Sequence, residues 1–502
     1  MNLLIRKCLF GLITVLFLAG CVQPAQDDSF IPPAGSSATP TQLTGWQVPT
    51  HNPSLPLYTP TPNPPRQLPV TRSETVTYVV KSGDTLAAIA RYHTLPLNFV
   101  IESNNIENPN LLEVGQVLTL PPPVLEEAGS AFKILPDSEI VRSPTAIGFN
   151  VAEFSAATNG YLESYSEEVN EVEMTGAQII ERVSREFSVH PHVLLAWLEY
   201  QGNWISSKNP DETQQQFPAG YQNPYYEGLY MQMAWTANNL NMGYYLWKSN
   251  AVSAWILNDD SVIPPDPTIN PGTAAVHNLA SMIMDQPDWR STVSENGFIK
   301  VFTRYFGQAF DYSIDPLIPE NLTQPEMQLP FEENTVWSFT GGPHGSWGSG
   351  SAWGGLDFAP SGDALGCVQS DAWVTAAAGG VVTRSENGVV VVDLDSDGYE
   401  ETGWALLYLH IETRDRIPVG TKVSSGDRIG HPSCEGGVSS GTHFHVARKY
   451  NGEWIPADQE IPFILGGWVS QGTGVEYNGY LVKNGQVIEA WDHRTEENQI
   501  QR

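Results

Sequence analysis

Basic residues are scarce in this 502-residue chain: 25 Lys plus Arg stand against 56 Asp plus Glu, a formal net charge of −31. A surface of that sign repels nucleic-acid phosphates and anionic headgroups, so nucleic acid is excluded as a partner and a neutral or zwitterionic polymer is favoured. Long apolar runs are also lacking. The run from Cys8 to Ala19 is too short for a transmembrane helix, which needs about 20 apolar residues. The His-Glu-x-x-His pattern is absent as well, so no Glu of that kind serves as a general base. What is present is a hydrophobic fraction of 41%, enough to build real cores. The length suggests about three domains.

Arg6 and Lys7 precede the apolar run, which ends at Leu18-Ala19-Gly20-Cys21. That arrangement is an export signal. Leu-Ala-Gly-Cys resembles the bacterial lipoprotein cleavage box, and the resemblance implies that Cys21 carries acyl chains sufficient for stable anchoring. The expectation is a signal peptide over 1–21 and an extracytoplasmic chain tethered to the cell membrane through the lipid on Cys21. Of the four cysteines, Cys8 and Cys21 belong to this segment, leaving Cys367 and Cys434. An oxidising compartment predicts one disulfide between those two.

Residues 22–74 are rich in Pro, Thr, Ser and Gln without a hydrophobic period, the composition of an extended tether. A second polar stretch, 123–174, reads as another linker. Between them, residues 75–122 open with a strand at Thr77–Val80 and turn at Lys81–Thr85. Thr85 or Asp84 is placed to cap a short helix through Leu86 and Ile89, and a second helix covers Leu97–Asn104. A strand at Val114–Leu120 closes the block. This βααβ block resembles the LysM domain, through Tyr78-x-Val80, Gly83-Asp84-Thr85-Leu86, Asn108-Pro109-Asn110 and Gly115-Gln116-x-Leu118. The resemblance implies an N-acetylglucosamine-polymer groove between two loops, made by Gly83, Asp84, Thr85 and Leu86 with Asn108, Pro109 and Asn110.

Residues 175–315 read as helical. Ile179, Ile180, Val183 and Phe187 recur at three- and four-residue steps, and Val193–Leu198 is an unbroken apolar run suited to burial. The segment from His190 to Trp204, with Gly228-Leu229-Tyr230-Met231-Gln232, weakly resembles lysozyme-like transglycosylase domains. Those enzymes need an acidic Glu where this chain has Gln201, and Gln cannot protonate a leaving group. Glu199 stands two residues earlier. The expectation is a lysozyme-like domain that is non-catalytic and holds glycan, if at all, through its aromatics.

In residues 328–490 short apolar runs alternate with Gly- and Ser-rich turns, the pattern of a mostly antiparallel β domain. His443-Phe444-His445 lies on a strand, so both imidazoles face one way. His410 ends another strand, Leu406–His410. His344 and Asp357 flank the flexible Gly345–Gly355 segment. Two imidazoles and a carboxylate make the ligand set of an open zinc site.

These residues resemble the lysostaphin-like zinc peptidases, also called the LytM family. Most members read His-x-x-x-Asp, then Tyr-x-His, then His-x-His. Here Trp353 stands four before Asp357, whereas Gly341-Gly342-Pro343-His344 places a histidine thirteen before it, as in the β-lytic and staphylolysin subgroup. The resemblance implies one zinc ion held by His344, Asp357 and His445, with His410 and His443 as the catalytic histidines. His431, in a turn beside Cys434, is assigned a structural role. Asp393-x-Asp395-x-Asp397-Gly398 has calcium-loop spacing, but Trp404 fills the twelfth position where Glu is needed, so a turn is expected.

The whole predicts a multidomain chain: a βααβ LysM domain, an α-helical lysozyme-like domain and an antiparallel β metallopeptidase domain. The expected activity is a membrane-anchored zinc metalloendopeptidase cutting peptide bonds in peptidoglycan, its partners being glycan strands and stem or cross-bridge peptides. A non-catalytic wall-binding protein, or a regulator of other hydrolases, is the alternative; such members lack the ligand set kept here.

Overall fold

Val76–Val79 (β1) and Val117–Leu120 (β2) pair antiparallel around two short helices, Leu86–Tyr92 (α1) and Leu97–Ser103 (α2). Thr85 caps α1 by accepting the Ala88 N–H at 3.1 Å. Leu86, Ile89, Val100, Leu118 and Leu120 close a small core of their own, so this block is self-sufficient. The computed structural model describes residues 62–362 and 364–502; the export segment and Cys21 lie outside them. Among the described residues no helix is long and apolar enough to cross a membrane.

The sequence places a linker at 123–174, and the structure corrects this. Ile134, Leu135, Ile140 and Val141 are fully buried, a helix spans Val151–Thr158, and Ser166–Val169 pairs with Val172–Thr175 as a hairpin. Average polarity hid these short apolar clusters, whose spacing follows the larger core rather than any period of their own. The tether also ends earlier than expected. Asn63 and Arg66 donate backbone N–H bonds to Thr268 and Pro267, both at 3.1 Å, and the Arg66 guanidinium lies 4.7 Å over the Trp247 ring.

The helices of the middle region are Gly176–Phe187 (α3), Pro191–Gly202 (α4), Leu229–Lys248 (α5), Pro271–Ser281 (α6) and Phe298–Phe306 (α7). Thr175 and Gln178 form a capping box at the start of α3, and Ser188 ends it in the left-handed conformation. Such a box satisfies two amide donors that would otherwise be orphaned. Helix α4 starts with Pro191, whose missing N–H costs nothing at that position, and buries nearly its whole length.

Nine antiparallel strands form the C-terminal sheet. They are Val336–His344 (β3), Gly355–Pro360 (β4), Gly380–Glu386 (β5), Val389–Asp393 (β6), Trp404–Leu409 (β7), Lys422–Val423 (β8), Phe444–Tyr450 (β9), Glu453–Trp454 (β10) and Gln499–Gln501 (β15). Their order is β8-β5-β6-β7-β9-β4-β3-β15, with β10 hairpinned onto β9. A separate four-stranded sheet follows from Ile464–Leu465 (β11), Trp468–Gly472 (β12), Gly479–Lys483 (β13) and Gln486–Glu489 (β14). Because β15 pairs with β3, the β region runs on past residue 490, the boundary the sequence suggested.

Side chains alternate between the two faces of the large sheet. Val390, Val392, Leu406, Tyr408 and Val446 pack with the C-terminal β elements, while Val389, Val391, Leu407, Leu409 and Ala447 join the core of the helices. Helical and β regions therefore share one core. Trp454 is central to it: fully buried, it donates from its indole to Phe187 O at 3.3 Å and from its backbone to the Tyr245 hydroxyl at 2.9 Å. Beside it Glu453 accepts from the Tyr244 hydroxyl at 3.0 Å and pairs with Lys248. Arg142, 7% exposed, bridges Glu181 at 2.8 Å and Glu401 at 2.6 Å across the same junction.

Trp454→Ala should cost about 3–5 kcal/mol and lower the unfolding midpoint of helices and sheet together, leaving the transition of residues 76–120 in place. Differential scanning calorimetry checks this. Helices and sheet melting apart, with only the sheet affected, would show that the core is not shared.

Candidate active site

The pairing of β9 with β4 sets His445 opposite Asp357, and β4 with β3 sets Gly355 opposite His344. Strand β3 is irregular on both sides of Gly341, which swings His344 back over the sheet. By alternation along β9, His445 shares its face with Ala447, the face that the helices cover. Gly355 admits this crowding: a Cβ there would sit 2.1 Å from His445 Cε1.

His344 Nε2 lies 2.9 Å from His445 Nδ1 and 3.2 Å from Asp357 Oδ1, and His445 Nδ1 is 3.0 Å from the same oxygen. Each imidazole is fixed from behind by a carbonyl. His344 Nδ1 meets Gly342 O at 2.8 Å and His445 Nε2 meets Ser346 O at 3.2 Å. A carbonyl only accepts, so those nitrogens carry the protons and the two facing nitrogens present lone pairs. Two lone pairs and a carboxylate converging in a buried site suit a cation, and this group could hold a metal ion.

Burial alone would raise the Asp357 carboxyl, but the facing His344 and His445 hold it well below the usual carboxylate range. Burial pushes His344 down and Asp357 outweighs it, so His344 stands above its ordinary value. Burial prevails at His445, which is lowered. One carboxylate oxygen, Asp357 Oδ1, faces both rings.

His410 and His443 complete the group, their rings 4.5 Å apart. His443 Nδ1 donates to Gly441 O at 2.8 Å, leaving Nε2 3.9 Å from Asp357 Oδ2. His410 Nδ1 donates to Glu435 O at 2.8 Å. Burial, then the nearby His443, pushes His410 down to about 3; it stays neutral. The Cys367–Cys434 disulfide is formed and ties down the segment whose Glu435 carbonyl orients His410. Ser433 reinforces it with a backbone N–H bond to His410 O at 2.7 Å.

Other residues singled out in the sequence stand apart. Trp353 is half-buried and adds no atom to the cluster; its carbonyl accepts the Ala457 N–H at 2.8 Å. His431 donates to Ala372 O and packs on Trp373 with ring centroids 3.9 Å apart. Asp393 spends both oxygens on the Asp395, Ser396 and Gly398 amides of its own turn. Glu199, 4% exposed, accepts from the Ile205 and Ser206 amides at 2.9 and 3.0 Å and from the Tyr305 hydroxyl at 3.2 Å. Gln232 likewise serves the backbone at Ala219, Tyr221 and Tyr226.

In the first block Asp84 accepts from the Lys81 amide and the Tyr78 hydroxyl, and Asn108 from the Asn110 amide. Leu86 is corrected: at 2% exposure its side chain belongs to the core and cannot line a groove. Exposed Leu111 and Val114 flank the second loop instead.

Sequence reasoning missed two neighbours. Tyr477 stacks on His344 with ring centroids 4.2 Å apart and planes at 19°. Asn238 of α5 accepts the Gly350 N–H at 2.8 Å, inside the segment joining His344 to Asp357. The Asn478-Gly479 pair is a hairpin signal, but nothing in it tells where that hairpin docks. A second buried group, Glu139 with His190 and His192, also lies within reach of one ion; there His190 Nδ1 caps α4 by accepting the His192 amide at 3.1 Å, and Glu139 lies 2.9 Å from His192 Nδ1.

Residues 78–121 match the LysM domain, and residues 133–318 match the N-terminal domain of LasA. The β-lytic metalloendopeptidase of Lysobacter enzymogenes is 28% identical over 167 residues, which are 32% of this chain and 90% of that protein. Its namesake from Achromobacter lyticus is 30% identical over 173 residues, 32% of this chain and 43% of that protein; the chain thus spans less than half of the second relative. The solved structure of the metalloprotease pseudoalterin matches 36% of this chain and 99% of its own at 27% identity, with a TM-score of 0.30. The sequence matches thus make the chain a zinc metalloendopeptidase, similar over about a third of its length to the β-lytic metalloendopeptidases, that also carries a LysM domain.

Proposed function

We propose that the chain hydrolyses peptide bonds of peptidoglycan, with zinc held by His344 Nε2, Asp357 Oδ1 and His445 Nδ1. The observation that carries this is the set of backbone carbonyls behind four histidines, which turn an unprotonated nitrogen of each towards one place. Zinc in such a site supplies Lewis acidity, polarising a carbonyl and making hydroxide available near neutral pH.

The remaining work falls to His410 and His443. His443 Nε2, 3.9 Å from Asp357 Oδ2, takes a proton from the attacking water and returns it to the leaving amine. His410, kept neutral by burial, accepts a hydrogen bond at Nε2 and orients the same water. The disulfide and Glu435 hold that ring in place.

The block at 75–122 supplies attachment to glycan strands through the loops at Gly83–Thr85 and Asn108–Asn110, and the Leu18–Cys21 box supports a lipid anchor on the cell membrane. The helical region we take as lysozyme-like and non-catalytic, since Glu199 is committed to the Ile205 and Ser206 amides. Mass spectrometry of purified peptidoglycan after digestion, with and without a chelator, tests the main reading; no chelator-sensitive release of peptide fragments would overturn it.

His445→Ala should abolish stoichiometric zinc in elemental analysis, whereas His443→Ala should keep the metal and lose about 10²–10⁴-fold in cleavage. Full zinc in the first variant would show the ligand set to be wrong. Deleting residues 77–121 should weaken pull-down on insoluble wall while soluble-peptide cleavage stays near the parent rate, because a tethered second site supplies local concentration rather than chemistry. Loss of soluble cleavage would show that the parts are mechanistically coupled.

A further inference from the structure

The loop between β12 and β13 belongs to none of the motifs read above, yet it grips the strand that delivers His344. Gly342 N–H donates to Tyr477 O at 2.7 Å, and Tyr477 N–H donates to Pro343 O at 3.1 Å. Glu476 accepts the Gly345 N–H at 3.4 Å. The backbones touch, since a Cβ on Gly342 would stand 2.6 Å from Gly479 N. A separate sheet therefore clasps both flanks of the ligand segment.

Tyr477 is the centre of the clasp and is strained there. Its φ is +66°, a region that bulky residues rarely occupy and that persists where the surroundings impose it. Gly or Asn would meet that dihedral at little cost, so the side chain is what the position gains. Its ring lies nearly parallel to the His344 ring, 4.2 Å away, while the residue remains 52% exposed on its other side. The bond from Nδ1 to Gly342 O directs His344 Nε2 along one line, but leaves the ring free to rock about it. A stacked aromatic removes that freedom.

We infer that Tyr477 is a positioning residue for the metal centre, its ring fixing the plane in which His344 Nε2 meets Asp357 Oδ1 and His445 Nδ1. This rests on His344 being a zinc ligand. The contribution is the aromatic face, not the hydroxyl, which separates Tyr477 from a proton donor.

The test uses the full chain and three variants, with zinc affinity read by competition against a chromogenic chelator. Tyr477→Gly relieves the dihedral strain, so the metal-free protein should melt no lower than the parent, yet bind zinc about 10–100-fold more weakly, as loss of an outer support does. Tyr477→Phe should restore affinity to within about twofold of the parent, because the stack survives. His344→Ala should lose zinc altogether. Parent-like affinity in Tyr477→Gly, with zinc lost in His344→Ala, overturns the clamp and leaves the ligand set standing. Zinc retained by His344→Ala overturns the ligand assignment and the clamp with it.

Discussion

The antiparallel register of β9 against β4 governs this molecule. Setting His445 against Asp357 fixes two donors across one pair of strands, and strand spacing alone keeps them within reach of a single ion. The next pair repeats the device, since β7 sets Leu409 against His445 and so brings His410 to the rim. A slip of one residue would turn His445 into the opposite core and bring Phe444 or Val446 to the site. Everything else serves that register: the irregular β3 that returns His344, the carbonyls that orient each ring, and the disulfide that holds one of those carbonyls.

Much of this was legible beforehand, for a physical reason. Histidines two apart on a strand must share a face, and a ligand set with subgroup spacing leaves little freedom about which residues meet. His344, Asp357 and His445 lie together, with His410 beside His443, as the family resemblance implied, and Cys367 joins Cys434. Ile134, Ile140 and Phe154 were not legible, because they are buried by contacts distant in sequence and follow no local period. Tyr477 was hidden for a similar reason. Its loop joins two strands of a different sheet, and stacking on His344 leaves no trace in residue spacing. Leu86 failed in the other direction: a motif marks it, but the motif preserves the core as well as any groove.

The shared core changes how the middle region should be regarded. Helices α3 and α5 lie on the same sheet face as His445, and Phe187, Tyr245 and Trp454 are joined by backbone and side-chain bonds across the junction. Seven apolar residues of the sheet, Val389, Val391, Ala405, Leu407, Leu409, Ala447 and Trp454, would meet water without those helices, at roughly 25 cal/mol for each square ångström exposed. The Asn238 bond to Gly350 carries that packing to within a few residues of His344. Helices that resemble a bystander in sequence thus form one wall of the peptidase fold.

The two margins of the large sheet are brief, Lys422–Val423 on one side and Gln499–Gln501 on the other. Unpaired amide and carbonyl groups on a long border would invite a second molecule to add its own strand. A border of two or three residues, with Lys422 on one and Gln at both ends of the other, offers too few bonds for that. Truncated margins of this kind leave another chain little strand edge to extend.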